Sequence, residues 1–245
     1  VHLVSVGLLG RARWRVAGTE TGFTSTGVLT LRTALPWPKY AEVARRHAFY
    51  DEVIAGVRAL PGVQSAAYIT GLPMTMQGGI WGAVPEGPEL ALEEPIGAST
   101  RFTTEGFFDA MSIPIKEGRD ISPSDTRDAT PVAVVSEGFV RQAWPGSSAV
   151  GRRFTSTVYR DVTFTIVGVV GDIRVRGLER RSEPQIYFSS RQVPDNAFIN
   201  YPPKEFVVRA DVAPASLLPA IRRIVQGADP EQPISHVKLL DEIVS

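Results

Sequence analysis

The chain carries a strand–helix–strand pattern twice, once near each end, and this limits the folds open to it more than any other feature. Gly27 to Leu35 alternates apolar and polar residues with β-branched content, which predicts a half-buried strand. Pro36-Trp37-Pro38 ends it, and a helix is expected over Lys39 to Leu60. Val43, His47, Tyr50, Ile54 and Val57 recur at spacings of four and three and make one face, while Arg45, Arg46, Asp51, Glu52 and Arg58 lie mainly off it. Pro61-Gly62 stops the helix, and Val63 to Thr70 gives a second strand.

The other end repeats this. Glu205 to Ala210 predicts a strand. Ser216 caps a helix to about Gln226, with Pro219 in its first turn and Gly227 closing it. Pro233 to Leu239 predicts another strand. Strand–helix–strand units normally share one sheet, so the two ends are expected to form one subdomain around an insertion.

The inserted stretch mixes short elements. Helices are expected at Thr104 to Met111 and Glu137 to Trp144, and strands at Ile113 to Lys116, Pro131 to Ser136, Val162 to Val170 and Gln185 to Phe188. From Pro61 to Val84 no residue is charged, but Pro and Gly recur throughout. A helix in lipid would leave backbone groups unpaired at so many breakers, so this stretch reads as a buried strand followed by an apolar loop. In that loop Met74, Met76, Ile80 and Trp81 are candidate ligand or partner contacts, with a loop tucked into the seam between subdomains as the plainer alternative. The expected class is α+β, with these boundaries: a membrane-proximal stalk 1–22, a first half-subdomain 23–70, an insert 71–200 and a second half 201–245.

The chemistry that can be sought in sequence is mostly missing. Lys+Arg and Asp+Glu both number 26, so no net field attracts nucleic acid, and no nucleic-acid partner is expected. The basic stretch Arg174 to Arg181 has no interleaved aromatics and reads as a solvated or salt-bridged turn. The chain has no cysteine, which removes disulfides, thiolate nucleophiles and Cys-ligated metals. No phosphate-cradling loop or nucleophile elbow occurs, and Gly146 to Gly151 reads as a turn. His2, His47 and His236 lack metal-ligand spacing, and His47 reads as a packed, hydrogen-bonded core histidine. Asp120, Asp125 and Asp128 lack the glycine and closing glutamate of a calcium loop and read as caps and turns. No catalytic residue, cofactor or metal is assigned.

The opening run Val1 to Gly10, followed by Arg11, Arg13, Trp14 and Arg15, reads as the end of a membrane helix meeting the interface, or else as an amphipathic N-terminal helix. It is too short to span, since a span needs about 20 apolar residues.

Ordered motifs run along nearly the whole chain. Gly7-Leu8-Leu9, Gly22-Phe23, Gly27-Val28-Leu29-Thr30 and Phe49-Tyr50 come first, then Leu60-Pro61-Gly62-Val63 with Leu72-Pro73. Gly106-Phe107-Phe108, Ile113-Pro114 and Gly118-Arg119-Asp120 follow. The most distinctive block is Pro131-Val132-Ala133-Val134-Val135-Ser136-Glu137-Gly138-Phe139 with Trp144-Pro145-Gly146 and Val150-Gly151. Ile166 to Asp172, Gly177-Leu178 and Asp229-Pro230-Glu231-Gln232-Pro233-Ile234 complete the set. In this order they resemble the MacB-like periplasmic core domain of FtsX-type ABC transporter permeases, most of all the duplicated orphan permeases abundant in acidobacteria. Asp120-Ile121 and Ser136-Glu137-Gly138 depart from the commoner pattern.

The resemblance implies a porter-like subdomain from the chain ends with an inserted mixed α/β second subdomain. It implies a non-catalytic, extracytoplasmic domain in the cell membrane's transport machinery, coupling ATP-driven movement to efflux or substrate extraction. The implied partners are transmembrane helices of the same polypeptide, a cytoplasmic ATPase subunit or domain, and a second permease copy and an adaptor protein. The alternative is a free-standing periplasmic ligand- or partner-binding module. A coupling domain predicts that both ends leave one face of the fold; a binding module predicts a closed, ligand-sized cavity; a hydrolase predicts a cleft with convergent titratable groups.

Overall fold

The computed structural model describes residues 20–75, 79–87, 94–193 and 202–245. The expected stalk, apart from its last residues, therefore lies outside the described residues, as does Met76.

Strand β1 (Val28–Arg32), helix α1 (Val43–Arg58) and strand β2 (Val63–Ile69) form the first unit. Strand β10 (Glu205–Ala210), helix α4 (Leu218–Ala228) and strand β11 (Ser235–Leu239) form the last. The units interleave: the strand order is β11–β1–β10–β2, and each neighbouring pair is antiparallel. β10 thus lies between β1 and β2, and β1 between β10 and β11, the split βαβ arrangement. One sheet face supplies Leu29, Leu31, Ala66, Tyr68, Phe206 and Val208, which pack with Tyr50, Val53, Ile54 and Val57 of α1 and Ile221 and Val225 of α4.

Arg46 departs from the expected polar face of α1. It is buried, and its Nη1 donates to the carbonyls of Tyr40 (2.8 Å) and Ala41 (2.6 Å), so it holds the loop leading into its own helix. At the other end, Gly227 lies inside α4, which runs to Ala228 and stops at Asp229. The Asp229 carboxylate accepts from Tyr40 Oη (2.6 Å) and Lys39 Nζ (3.0 Å), which ties the Asp-Pro motif to the start of α1.

Between the units come β3 (Ile80–Pro85), β4 (Ile96–Thr103), α2 (Phe107–Met111), β5 (Ile115–Gly118), β6 (Val132–Ser136), α3 (Glu137–Ala143), β7 (Arg153–Ser156), β8 (Thr163–Val170) and β9 (Gln185–Ser189). Three of these strands, β3, β4 and β7, were not expected from sequence. They close a ring: β4 pairs β3, β3 pairs β7, β7 pairs β8, β8 pairs β6, β6 pairs β9, and β9 returns to β4. Closure removes the strand edges that an open sheet of this size would expose. Inside are Phe102, Phe154, Phe164 and Phe188 with smaller residues such as Ala83, Ala98 and Ala133. The Phe164 and Phe188 ring centroids are 4.4 Å apart.

Helix α3 leaves the end of β6 and adds Phe139, Ala143 and Trp144 to this interior, so it closes the barrel end where β6 finishes. The Ser136 hydroxyl caps it, accepting from the amides of Phe139 (3.3 Å) and Gln185 (3.0 Å). Gly138 lets the Asp172 carboxylate approach closely: Oδ1 accepts its amide at 2.7 Å and would lie 2.8 Å from an added Cβ, which would push that side chain aside. The Ser-Glu-Gly departure therefore makes room for a second, carboxylate cap.

A third cluster fills the seam between barrel wall and end sheet. It joins Ala67, Ile69 and Val207 of the sheet, Phe107, Phe108 and Met111 of α2, and Val134, Val170 and Tyr187 of the wall. The Gly118-Arg119-Asp120 motif borders it. Gly118 has φ +70°, and an added Cβ would lie 2.1 Å from the Val167 carbonyl oxygen. Arg119 grips the Asp125 carboxylate at 2.7 and 2.8 Å, and Asp120 accepts from the amides of Gly106 (2.9 Å) and Ile121 (2.6 Å). These carboxylates are the expected turn and cap residues. Burial pushes the Asp120 pKa up to about 6, against the pull of its two amide donors.

Two predictions follow from this packing. Phe188→Ala should cost about 3–5 kcal/mol of unfolding free energy, whereas Val150→Ala at an exposed position should stay within about 0.5, both read from urea unfolding. Folded Asp120 holds its proton to higher pH than the unfolded carboxyl at about 3.9. Stability therefore rises as pH falls through about 6 towards 4, and this contribution is absent above about 6. Asp120→Asn should flatten that slope of stability against pH, by up to about 3 kcal/mol across the window.

Candidate functional site

Among the described residues the strand ladder between end sheet and barrel is a single residue pair, Ile69 of β2 opposite Thr103 of β4. Threonines extend this short ladder with their hydroxyls. The amide of Thr70 donates to the Phe102 carbonyl (3.0 Å), and the Phe102 amide donates back to Thr70 Oγ1 (3.2 Å). The Tyr68 amide donates to Thr104 Oγ1 (3.0 Å), while the Thr104 amide donates to the Tyr68 carbonyl (3.0 Å).

A cleft of about 300 Å³ opens beside this joint. Trp81 of β3 and Phe102 of β4 give it an aromatic side, with centroids 6.0 Å apart at 63°. Arg32 and Glu205, directly opposite in the β1–β10 register, form another side. Arg32 Nε donates to Glu205 Oε1 at 2.8 Å, which gives the nearly buried Glu205 carboxylate a cationic partner. Lys204 is exposed, and Thr70, Thr75 and Thr100 also line the cleft. The surface thus offers aromatic faces, hydroxyls and a cation. No group of three His, Cys, Asp or Glu suited to a metal occurs among the described residues. The arrangement is suited to non-covalent binding.

Only some of the residues expected from sequence meet here. Trp81 lines the cleft. Ile80 and Trp81 lie on β3 and not in a loop, and Ile80 points outward from the barrel, 55% exposed. Met74 packs against the seam cluster with φ 68°, and its amide donates to the Val175 carbonyl at 2.8 Å. Met76 lies outside the described residues. Sequence reasoning missed Phe102, Arg32, Glu205 and Lys204. The one available signal was opposite charge on Arg32 and Glu205 in predicted strands.

Behind the cleft, on the opposite face of β4, Arg101 is wholly buried. The guanidinium lies over the Tyr187 ring, 5.6 Å from the centroid, and none of its nitrogens makes a well-formed hydrogen bond. Ser99 Oγ and Tyr187 Oη likewise make no well-formed hydrogen bond, and the β4–β9 register sets Arg101 opposite Tyr187, its nearest polar neighbour. Burial lowers the arginine's proton affinity and raises the Tyr187 pKa. A buried cation without a carboxylate is costly to keep. Arg101→Met should raise the unfolding free energy by about 1–4 kcal/mol. Unchanged or lower stability in guanidinium titration would mean that the group is fully paired in solution.

The family model of the MacB-like periplasmic core domain matches residues 9–226. The periplasmic region of MacB from Actinobacillus actinomycetemcomitans is similar with a TM-score of 0.57 and 14% identity, covering 94% of this chain and 95% of that one. The extracellular domain of the noncanonic ABC-type transporter YknZ from Gram-positive bacteria gives 0.52 and 14%, covering 86% and 99%. A permease-protein domain from Porphyromonas gingivalis gives 0.50 and 17%, covering 89% and 92%. Comparison with curated proteins gives no match.

Proposed function

The chain belongs to the family of MacB-like periplasmic core domains of ABC transporter permeases, and from that premise we propose that it is a non-catalytic coupling domain. In this reading it stands on the extracytoplasmic side of the cell membrane. It turns movement driven by a cytoplasmic ATPase into movement of the barrel against the end sheet, for efflux or for extraction of a substrate. Transmembrane helices of the same polypeptide would carry that movement; a second permease copy and an adaptor protein are further proposed partners. The proposed division is a porter-like subdomain from 23–70 and 201–245 with 71–200 inserted.

One observation carries the reading beyond the family match. Leu29 pairs with Leu239, so the chain enters β1 and leaves β11 side by side. A displacement delivered by two adjacent connections would move the end sheet as a unit and leave the barrel to swing about the Ile69–Thr103 joint. No helix of the described residues is long and apolar enough to cross a membrane. The cleft beside the joint would change shape with such a swing, and Trp81 is the proposed substrate or partner contact on its barrel side; Met74, Met76 and Ile80 belong to the same proposal from the sequence pattern.

The test uses spin labels at Glu52 on α1 and Val150 on the barrel, both exposed, in the full permease reconstituted with its ATPase. This chain has no cysteine of its own to interfere. The expected result is a distance distribution that shifts by several ångströms between nucleotide-free and ATP-bound states, in keeping with domain motions driven by ligand energy. Identical distributions in the two states would remove the coupling role.

A further inference from the structure

The cleft at the joint pairs an aromatic side with an excess of positive charge. We propose that it binds a small aromatic monoanion, a flat ring bearing one carboxylate, with the ring against Trp81 and the carboxylate beside Lys204 and Arg32. This rests on the reading of the cleft as a contact site and is independent of the coupling role.

Three donors line the end-sheet side. Lys204 is held by its backbone: its amide donates to the Ile69 carbonyl (3.2 Å), and its carbonyl accepts from the Thr33 amide (3.0 Å). Glu205 lies opposite Ile69, so the β2–β10 register, carried one residue further, sets Lys204 opposite Thr70. The Lys204 side chain is exposed on the cleft and forms no ion pair among the described residues. Thr70 Oγ1 accepts the Phe102 amide at 3.2 Å, which leaves its own O–H to donate. Arg32 directs Nε and Nη2 to a single oxygen, Glu205 Oε1, and its Nη1 has no partner among the described residues. A carboxylate can take several such donors at once, and its bonds to cationic donors are the strong ones.

The lining selects one negative charge. Arg32 and Glu205 offset each other and Lys204 remains, so the cleft carries a single net positive charge. A dianion would bring its second charge to the Glu205 carboxylate, and a cation would meet Lys204. The other side takes a ring. Trp81 is half-buried, and Phe102 and Tyr159 meet it at 63° and 77° with centroids 6.0 and 5.7 Å away. These contacts fix the indole in place at the wall of the cleft. A ligand ring packed there keeps its carboxylate off the electron-rich ring faces and directs it across to the donors. The volume of about 300 Å³ suits a ligand of about ten to fifteen non-hydrogen atoms. A hollow of about 330 Å³ between the start of α1 and the open end of the barrel is also lined by charged residues, but its Arg191 is held by Asp51 at 2.6 and 3.1 Å.

The experiment is an NMR titration of the tryptophan indole N–H signals of the 245-residue chain with three probes: 1-naphthoate, the uncharged 1-naphthamide and D-glucose. Trp81→Phe assigns the Trp81 signal by removing it. Naphthoate should move that signal saturably with a Kd below about 1 mM, and naphthamide should bind at least about fivefold more weakly. Lys204→Glu should weaken naphthoate binding about tenfold or more and leave naphthamide binding unchanged, whereas Lys204→Arg should keep naphthoate affinity within about threefold. Lys204 is exposed, so both variants should melt as the parent chain does. No ATPase or membrane takes part, so a failure of the coupling role leaves this result standing, and the reverse. The proposal is overturned if naphthoate gives no saturable shift by about 5 mM, if naphthamide binds as tightly, if Lys204→Glu leaves naphthoate affinity unchanged, or if D-glucose moves the Trp81 signal at lower concentration than naphthoate, which would make the cleft a sugar site.

Discussion

The arrangement depends on one strand, β4, which pairs with β3 over its first half, with β9 over its second half and with β2 at its last residue. The first two pairings close the barrel; the third attaches it. Ala98 and Phe102 of β4 meet the barrel interior, while Arg101 on its other face stacks on Tyr187 of the seam. Loss of β4 would open the ring, expose the edges of β3 and β9, and cut the only ladder to the end sheet recorded among the described residues.

Strand directions explain why the hollows gather at one end. β4 and β9 are parallel, β6 runs against β9, and β8 runs with β6. The starts of β6 and β8 therefore meet the ends of β4 and β9, opposite α3. A hollow of about 220 Å³ in that mouth is lined by Phe102, Tyr159, Phe164 and Phe188, with Arg127 at its edge. Phe102 also lines the cleft at the joint, and Arg127 also lines the hollow at α1. The three spaces are thus neighbours across single side chains.

Much of the framework is legible in sequence because it is local. The α1 face, the strand β8 and the cap at Ser136 follow from periodicity and residue type at short range. The missed strands failed for definite reasons. β4 buries Ser99, Thr100, Arg101 and Thr103, so its composition resembles a loop, and β7 spans only Arg153–Ser156. Ring closure pairs Phe102 with Phe188, a relation that no local window contains. The same holds for the site: Trp81 is legible as a member of an apolar, uncharged, Gly-rich stretch, whereas Arg32 and Glu205 are 173 residues apart and meet only through the β1–β10 register.

The adjacency of β1 and β11 has a mechanical consequence. A pull applied where the chain enters β1 and leaves β11 runs through the β1–β11 ladder and does not cross the barrel, which is attached beyond β2, at the far side of the end sheet. The barrel is outside the load path. Tension at the base would peel β11 from β1 one rung at a time while the aromatic interior stayed unstressed, so the barrel would keep its shape under a load on the end sheet.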